Sequence, residues 1–296
     1  MAGRILAFVV AVAMVLGAIA YKYPRGAGGG GGGEAATTIV CAAELGAVCE
    51  SIPDAVIEPT GATTDRLIAA RGRTEADVLA WLAPGPWAAM VDDARKLANK
   101  GALFTDHEPL ARTPVVAVAK KDRLPPACAP NASWKCIADA LNQDQRFLVG
   151  ADSFEAPPGL FVRAAVLTGA FGDANYASND LDQVQDLLAN LDARVGQARA
   201  RNATDLQRFL IQAPDVAVYL TTAASAGAAP PTVTVVVPAP AAGVDAVLAR
   251  SGRLPRAFDR SETERSLRSA GWAGPSTGDD GLPSPGVLLA LRDQLG

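Results

Sequence analysis

The chain has 296 residues, 20% of them charged, and a formal net charge of -4 at pH 7. That length supports one large or two medium domains, and mild acidity without a lysine run argues against a nucleic-acid partner. A single histidine, His107, rules out a two-histidine metal site.

The first element is an uncharged apolar run, Ile5–Tyr21, followed by Lys22, Pro24, Arg25 and the glycine tract Gly28–Gly33. Two readings fit it. A secretory signal peptide has a basic start, an apolar stretch of about 7–15 residues and small residues before the cut. Met1–Arg4, Ile5–Gly17 and Ala18-Ile19-Ala20 match that pattern, with cleavage after Ala20. A retained membrane anchor needs about 20 apolar residues, with roughly 17 as the lower limit, and Ile5–Tyr21 just reaches it. The glycine tract favours the anchor, because a flexible spacer is useful only if both ends are attached. Residues 1–24 are thus expected to be a signal or transmembrane helix and 25–35 a linker. The rest is expected outside the cytoplasm, membrane-anchored or secreted after cleavage.

In chain order, Thr37–Ala42 is a short β-branched strand and Glu44–Ser51 the start of a helix. Ala55–Glu58 is a second strand. Thr63–Ala70 is a helix capped by Thr63 or Thr64, with Leu67 and Ile68 on one face. Ala76–Leu82 reads as a third strand, and Trp87–Lys100 as a helix with Gly101 as its C-cap. Val115–Ala119 is a strand, Ile137–Leu141 a helix, and Phe147–Val149 a short strand. Gly159–Thr168, Leu181–Arg201 and Thr204–Gln212 follow as helices. Val216–Thr221 and Thr232–Val237 are strands; Val244–Arg250, Thr263–Ala270 and Pro285–Leu295 read as helices. Short strands alternating with helices argue for the α/β class and mostly parallel sheet.

The four cysteines pair by position, Cys41 with Cys49 and Cys128 with Cys136. Behind an export segment, two local disulfides are expected, with free thiols the alternative. Eight-residue spacing is not the C-x-x-C of most zinc sites.

Catalytic motifs are missing from the sequence: there is no P-loop and no G-x-S-x-G elbow, and no cofactor is expected. His107, within Asp106-His107-Glu108, reads as a solvated histidine in a polar connection. The paired acids Asp92-Asp93 and Asp279-Asp280 read as solvated faces. No nucleophile–base pair nominates an enzyme. What remains are loops after strands, where open α/β sheets bind ligands near helix N-termini: Ala42-Ala43-Glu44, Thr60–Thr64, and Pro157-Pro158-Gly159.

In this order, TTIVCAAELGAVCESI, VIEPTGATTDRLIAA, ADVLAWLAPGPWAAMV, LARTPVVAVAKKD and FLVGADSFEAPPGLFVRAAVL resemble the bacterial extracellular solute-binding proteins of the type 2 periplasmic-binding fold. Asp77, Trp81 and Trp87 mark the third of these segments. The chain looks closest to the molybdate- and sulfate-binding branch, and LRSAGWAGPSTGDDGLPSPGVLLALRDQL is similar to the end of solute-binding modules linked to von Willebrand A domains. The resemblance implies two lobes, each a mostly parallel sheet flanked by helices: 36–111 with 214–296, and 112–213. It implies a ligand held between them by Ala43, Thr63, Thr64, Pro114, Pro158, Gly159 and Tyr219. The implied partners are a small molecule, with an oxyanion as one class, and an ABC permease. Ala42-Ala43-Glu44 departs from the pattern, because oxyanion binders usually offer serine hydroxyls there. That departure keeps open a second function, a membrane-tethered envelope module that binds a protein and no small ligand.

The anchor reading predicts that the mature protein fractionates with membranes and that amino-terminal sequencing begins before Tyr21. A first residue of Tyr21 identifies a cleaved signal peptide instead.

Overall fold

The computed structural model describes residues 38–120, 123–125, 128, 131–227, 229–255, 258–275 and 281–296. The apolar run Ile5–Tyr21, the glycine linker and Asp279-Asp280 lie outside the described residues. Among those described, no helix is long and apolar enough to cross a membrane.

The first sheet begins with β1, Ile39–Ala42, whose four residues are all buried. It pairs in parallel with β2, Val56–Glu58, on one side and β3, Ala80–Pro84, on the other. A 3-10 turn at Ala43–Leu45 and the short helix α1, Ala47–Glu50, follow β1. Gly46, at φ 55°, breaks what reads in sequence as one continuous helix. Helix α2, Thr60–Ala69, follows β2, and the short α3, Arg73–Ala76, follows α2. The strand expected over Ala76–Leu82 therefore starts later. Asp77 turns the chain at φ 44°, and pairing begins only where the Leu79 amide donates to Thr38 O. Helix α4, Trp87–Leu97, ends at Ala98, so Gly101 is not its cap. The buried Arg95 instead fastens it to α2, donating from Nη1 to the carbonyls of Leu67 (2.8 Å) and Ala70 (2.6 Å).

Strand β4, Asp106–Lys120, is far longer than the expected Val115–Ala119. Its first half pairs antiparallel with β8, Gly243–Arg250, with the register shifting between Pro109 and Ala111. A proline cannot donate to a ladder, which is why this stretch reads in sequence as a connection. Strand β8 is the largest departure, since Val244–Arg250 reads as a helix. Val244, Ala246 and Leu248 are buried on one face while Asp245 and Val247 are half-exposed. That is the period of a strand, and wedging β8 between β3 and β4 overrides the helix propensity of its alanines and leucine.

The second half of β4 belongs to a second sheet. It pairs antiparallel with β6, Val218–Thr222, and with β7, Val233–Val236, while β5, Val149–Ala151, pairs in parallel with β6. The parallel pairs are thus β1 with β2 and β3, and β5 with β6. The antiparallel pairs come from β4, β7 and β8. Strands β6 and β7 both sit on the second-sheet side, so the chain returns to the first sheet through residues 237–242.

Helices cover both sheets: α5, Trp134–Gln143; α6, Pro157–Phe171; α7, Gln185–Ala200, preceded by a 3-10 segment at Ser178–Val184; and α8, Leu206–Gln212. Three more are α9, Ala223–Ala226; α10, Arg260–Ser269; and α11, Pro285–Leu295. Every residue from Leu160 to Gly169 of α6 is buried, Arg163 and Thr168 included, as expected of a helix that packs on all its faces. Trp81, Phe161, Ile137, Leu191 and Leu288 belong to one continuous apolar cluster that runs through both sheets' surroundings. Cys41–Cys49 and Cys128–Cys136 are disulfides.

Gly85, just after β3, takes φ +62°, and a Cβ there would lie 2.4 Å from Phe161 Cζ. Gly85→Ala is expected to lower stability by roughly 1–3 kcal/mol, the cost of overpacking. Urea denaturation should show Phe161→Leu restoring part of that loss in the double variant.

Candidate functional site

The strands after which ligands are expected, β1, β2 and β5, all send their carboxyl ends to one place. There a cavity of about 400 Å³ opens between the two sheets' loops. Glu44, Pro59, Gly61 and Asp65 line it from the first sheet, Ser153 and Glu155 from the second, and Arg292 of α11 from a third side. The two loops nearly touch, since a Cβ on Gly61 would lie 3.0 Å from Glu155 O.

Helix α2 starts beside this cavity. Its N-cap is Pro59, which has no side chain able to cap the helix. Glu44 supplies the acceptor from sixteen residues upstream. The Thr60 amide donates to Glu44 Oε1 at 3.1 Å and Oε2 at 3.2 Å, and the Thr60 hydroxyl donates to Oε2 at 2.6 Å. Thr63 and Thr64 are thus interior helix residues and not caps. The Thr63 hydroxyl donates to Glu58 Oε2 (2.8 Å), and the Thr64 hydroxyl donates to Thr60 O (2.8 Å). Both side chains are buried, with their hydroxyls engaged inside the protein.

On the opposite wall, the loop after β5 hangs from Asp152. Tyr219 donates its hydroxyl to Asp152 Oδ1 at 2.9 Å, and the buried Arg163 donates to Asp152 O at 3.3 Å and to Asp192 Oδ1 at 2.9 Å. Burial raises the Asp152 carboxyl above its ordinary range, although the Tyr219 hydrogen bond pulls the other way. Burial and the adjacent Asp152 push the Tyr219 phenol up. The Tyr219 ring lies under Gly150, where a Cβ would come within 2.5 Å of Cδ2. Tyr219 therefore sits behind the loop, one layer back from the cavity.

Of the other expected contacts, Ala43 is exposed in the turn beside Glu44. Gly159 is buried in the first turn of α6, so close to Ser153 that a Cβ would lie 2.0 Å from its carbonyl oxygen. Pro158 is half-buried beside it. Neither lines the cavity. Pro114 lines a different cavity of about 330 Å³, with Arg112, Ala242 and Ala273, where β4 passes between sheets. The loops after β1 and β2 thus meet Ser153–Ala156, just ahead of Pro157, at this cavity, and Pro114 stays apart. Asp65, Glu155 and Arg292 were not singled out in the sequence. Arg292 donates to Asp65 Oδ1 at 2.8 Å and lies 5.5 Å from the centre of the Trp87 ring.

His107 is exposed, as expected, but sits in a strand and not a connection, and Asp92 departs from expectation. His107 lies in β4, and its Nε2 is 3.2 Å from Asp92 Oδ2. Asp92 is buried and accepts from the amide of Leu103 at 2.7 Å. It therefore pins a loop from inside and does not mark a solvated face. No group of three or more His, Cys, Asp or Glu side chains among the described residues is placed to hold a metal.

No protein-family model matches the chain, and no curated protein matches it. Solved structures do. The chain is similar to the ferric binding protein from Campylobacter jejuni, at 11% identity and TM-score 0.51, over 88% of this chain and 96% of that one. It is similar to Trichodesmium IdiA (FutA) in complex with iron and citrate, at 9% identity and TM-score 0.50, over 88% and 99%. A third is the apo ferric ion-binding protein A of Pasteurella haemolytica, at 12% and 0.50, over 88% and 95%. What they share with this chain is the two-lobed periplasmic-binding fold.

The buried Asp152 gives a pH signature. A carboxyl whose folded pKa is raised contributes stability that is complete below its unfolded pKa and is lost as pH rises through the folded value. Asp152→Asn keeps an acceptor for Tyr219 and removes the charge. Its melting temperature relative to wild type is expected to be higher at pH 7, with the advantage fading as pH falls below the ordinary carboxylate range.

Proposed function

We propose that this chain is an extracytoplasmic solute-binding protein that captures a small ligand between two lobes for ABC-type import. The observation that carries this reading is the meeting of the loops after β1, β2 and β5 at one cavity, with a wall from each sheet. Its volume falls within the roughly 300–1,000 Å³ of small-molecule sites. The lobes of this proposal follow strand pairing: 38–114 with 243–296, and 115–236. The chain passes between them along β4 and again through 237–242, and such a molecule binds by hinge closure.

The structural neighbours include proteins described as ferric-binding and one solved with iron and citrate, which supports small-solute capture as the function of the shared fold. Kinship with the molybdate- and sulfate-binding branch, or with modules linked to von Willebrand A domains, rests on the sequence motifs. Membrane attachment through Ile5–Tyr21 and an ABC permease as partner complete the proposal.

A thermal-shift screen of the purified protein against sugars, amino acids, amines, metal ions and oxyanions tests it. The true ligand at about 100 times its dissociation constant should stabilise the native state by roughly 2.7 kcal/mol. Flat melting curves across every class would overturn solute capture and leave the protein-binding envelope module.

A further inference from the structure

We propose that Glu44 is the specificity-determining residue of this cavity, a built-in anion that bars oxyanions and leaves neutral or cationic small solutes as the ligand class. The inference rests on the cavity being the ligand site. It goes further by assigning the sign of charge that the site accepts.

The first amides of a helix have no partner within it, and its dipole favours negative charge there. Helix α2, ten residues long, begins at the cavity, with Gly61 and Ala62 in the lining and Thr60 buried against Glu44. The helix start alone would not define an anion position, but here a carboxylate is seated on it. Glu44 meets the Thr60 amide with both oxygens and the Thr60 hydroxyl with one. An incoming oxyanion would need the same donors. It would have to expel Glu44, or lie beside it at contact distance and suffer like-charge repulsion. Retreat would not relieve it, because Glu155 faces the same space from the other lobe. The cation in the lining, Arg292, is already matched by Asp65 at 2.8 Å. Three carboxylates therefore stand against one guanidinium. The lining also holds no metal-ligating cluster, so the surplus negative charge suits an organic cation or a hydroxyl-rich neutral solute.

The test compares the full chain with Glu44→Ala and Glu44→Ser, titrated with sodium sulfate against sodium chloride of equal ionic strength. Sulfate is expected to leave wild type unmoved relative to chloride. It should raise the melting temperature of Glu44→Ala saturably, by about 2–4 °C at ten times its dissociation constant. Glu44→Ser keeps a polar residue in the exposed turn but is too short to reach Thr60, so it likewise frees the position of the carboxylate and should show the same gain. A saturable sulfate shift in wild type would overturn the proposal. So would two variants with wild-type circular dichroism that gain no sulfate response. This outcome is independent of the ligand screen: an unmasked sulfate site supports the role of Glu44 even where no solute stabilises wild type, and that second result would count against solute capture alone.

Discussion

One strand serves two sheets, and the rest of the architecture depends on it. The backbone of β4 pairs with β8 as far as Pro114 and with β6 and β7 from Val115 onward. Because the ladder is continuous, the two sheets cannot slide along each other without breaking hydrogen bonds in both. That constraint fixes where the carboxyl ends of β1 and β2 stand relative to that of β5. A cavity shared by loops so distant in sequence follows from it.

The walls of the cavity are then stiffened by polar side chains that reach across to neighbouring elements, the two guanidiniums among them buried and Glu44 exposed. Arg95 closes the carboxyl end of α2 from below, Glu44 closes its amino end, and Arg163 holds the Asp152 loop to Asp192. A buried guanidinium or carboxylate is tolerable only when its hydrogen bonds are met. Here each of these groups is tied to backbone atoms of a neighbouring element. They act as positioning devices, and the loops they hold carry few apolar anchors of their own.

Much of this was legible in the sequence. Helix–strand alternation, the local cysteine pairs and the loops after β1, β2 and β5 all follow from periodicity and turn chemistry. What sequence did not disclose has physical causes. Pro109 and Pro114 hide the first half of β4, since proline argues against a ladder whose other residues pair well. The alanines and leucine of β8 favour helix locally, and only its neighbours make it a strand. Thr63 and Thr64 look like caps because their residue type suits one, yet the cap comes from Glu44, sixteen positions away. A clue was present, since the Pro59 side chain cannot cap a helix and the acceptor had to come from elsewhere, but Glu50, Asp54 and Glu58 all lie nearer in sequence than Glu44. Asp65, Glu155 and Arg292 carry no local signature, because only the tertiary fold brings them together.

The contact of Phe161 with Gly85 bears on how a ligand gets in. In the proposed division they fall in different lobes, and Phe161 is fully buried within the large apolar cluster. Swinging the lobes apart would wet the phenylalanine, which buries about 150–250 Å², and at about 25 cal/mol per Å² this amounts to roughly 4–6 kcal/mol. At tenfold per 1.4 kcal/mol, the open form would account for about one molecule in a thousand or fewer. If entry requires the open form, on-rates are throttled by that fraction. A solute caught in the closed form leaves no faster than the empty protein opens, so a single aromatic contact would set the ceiling on exchange whatever the ligand.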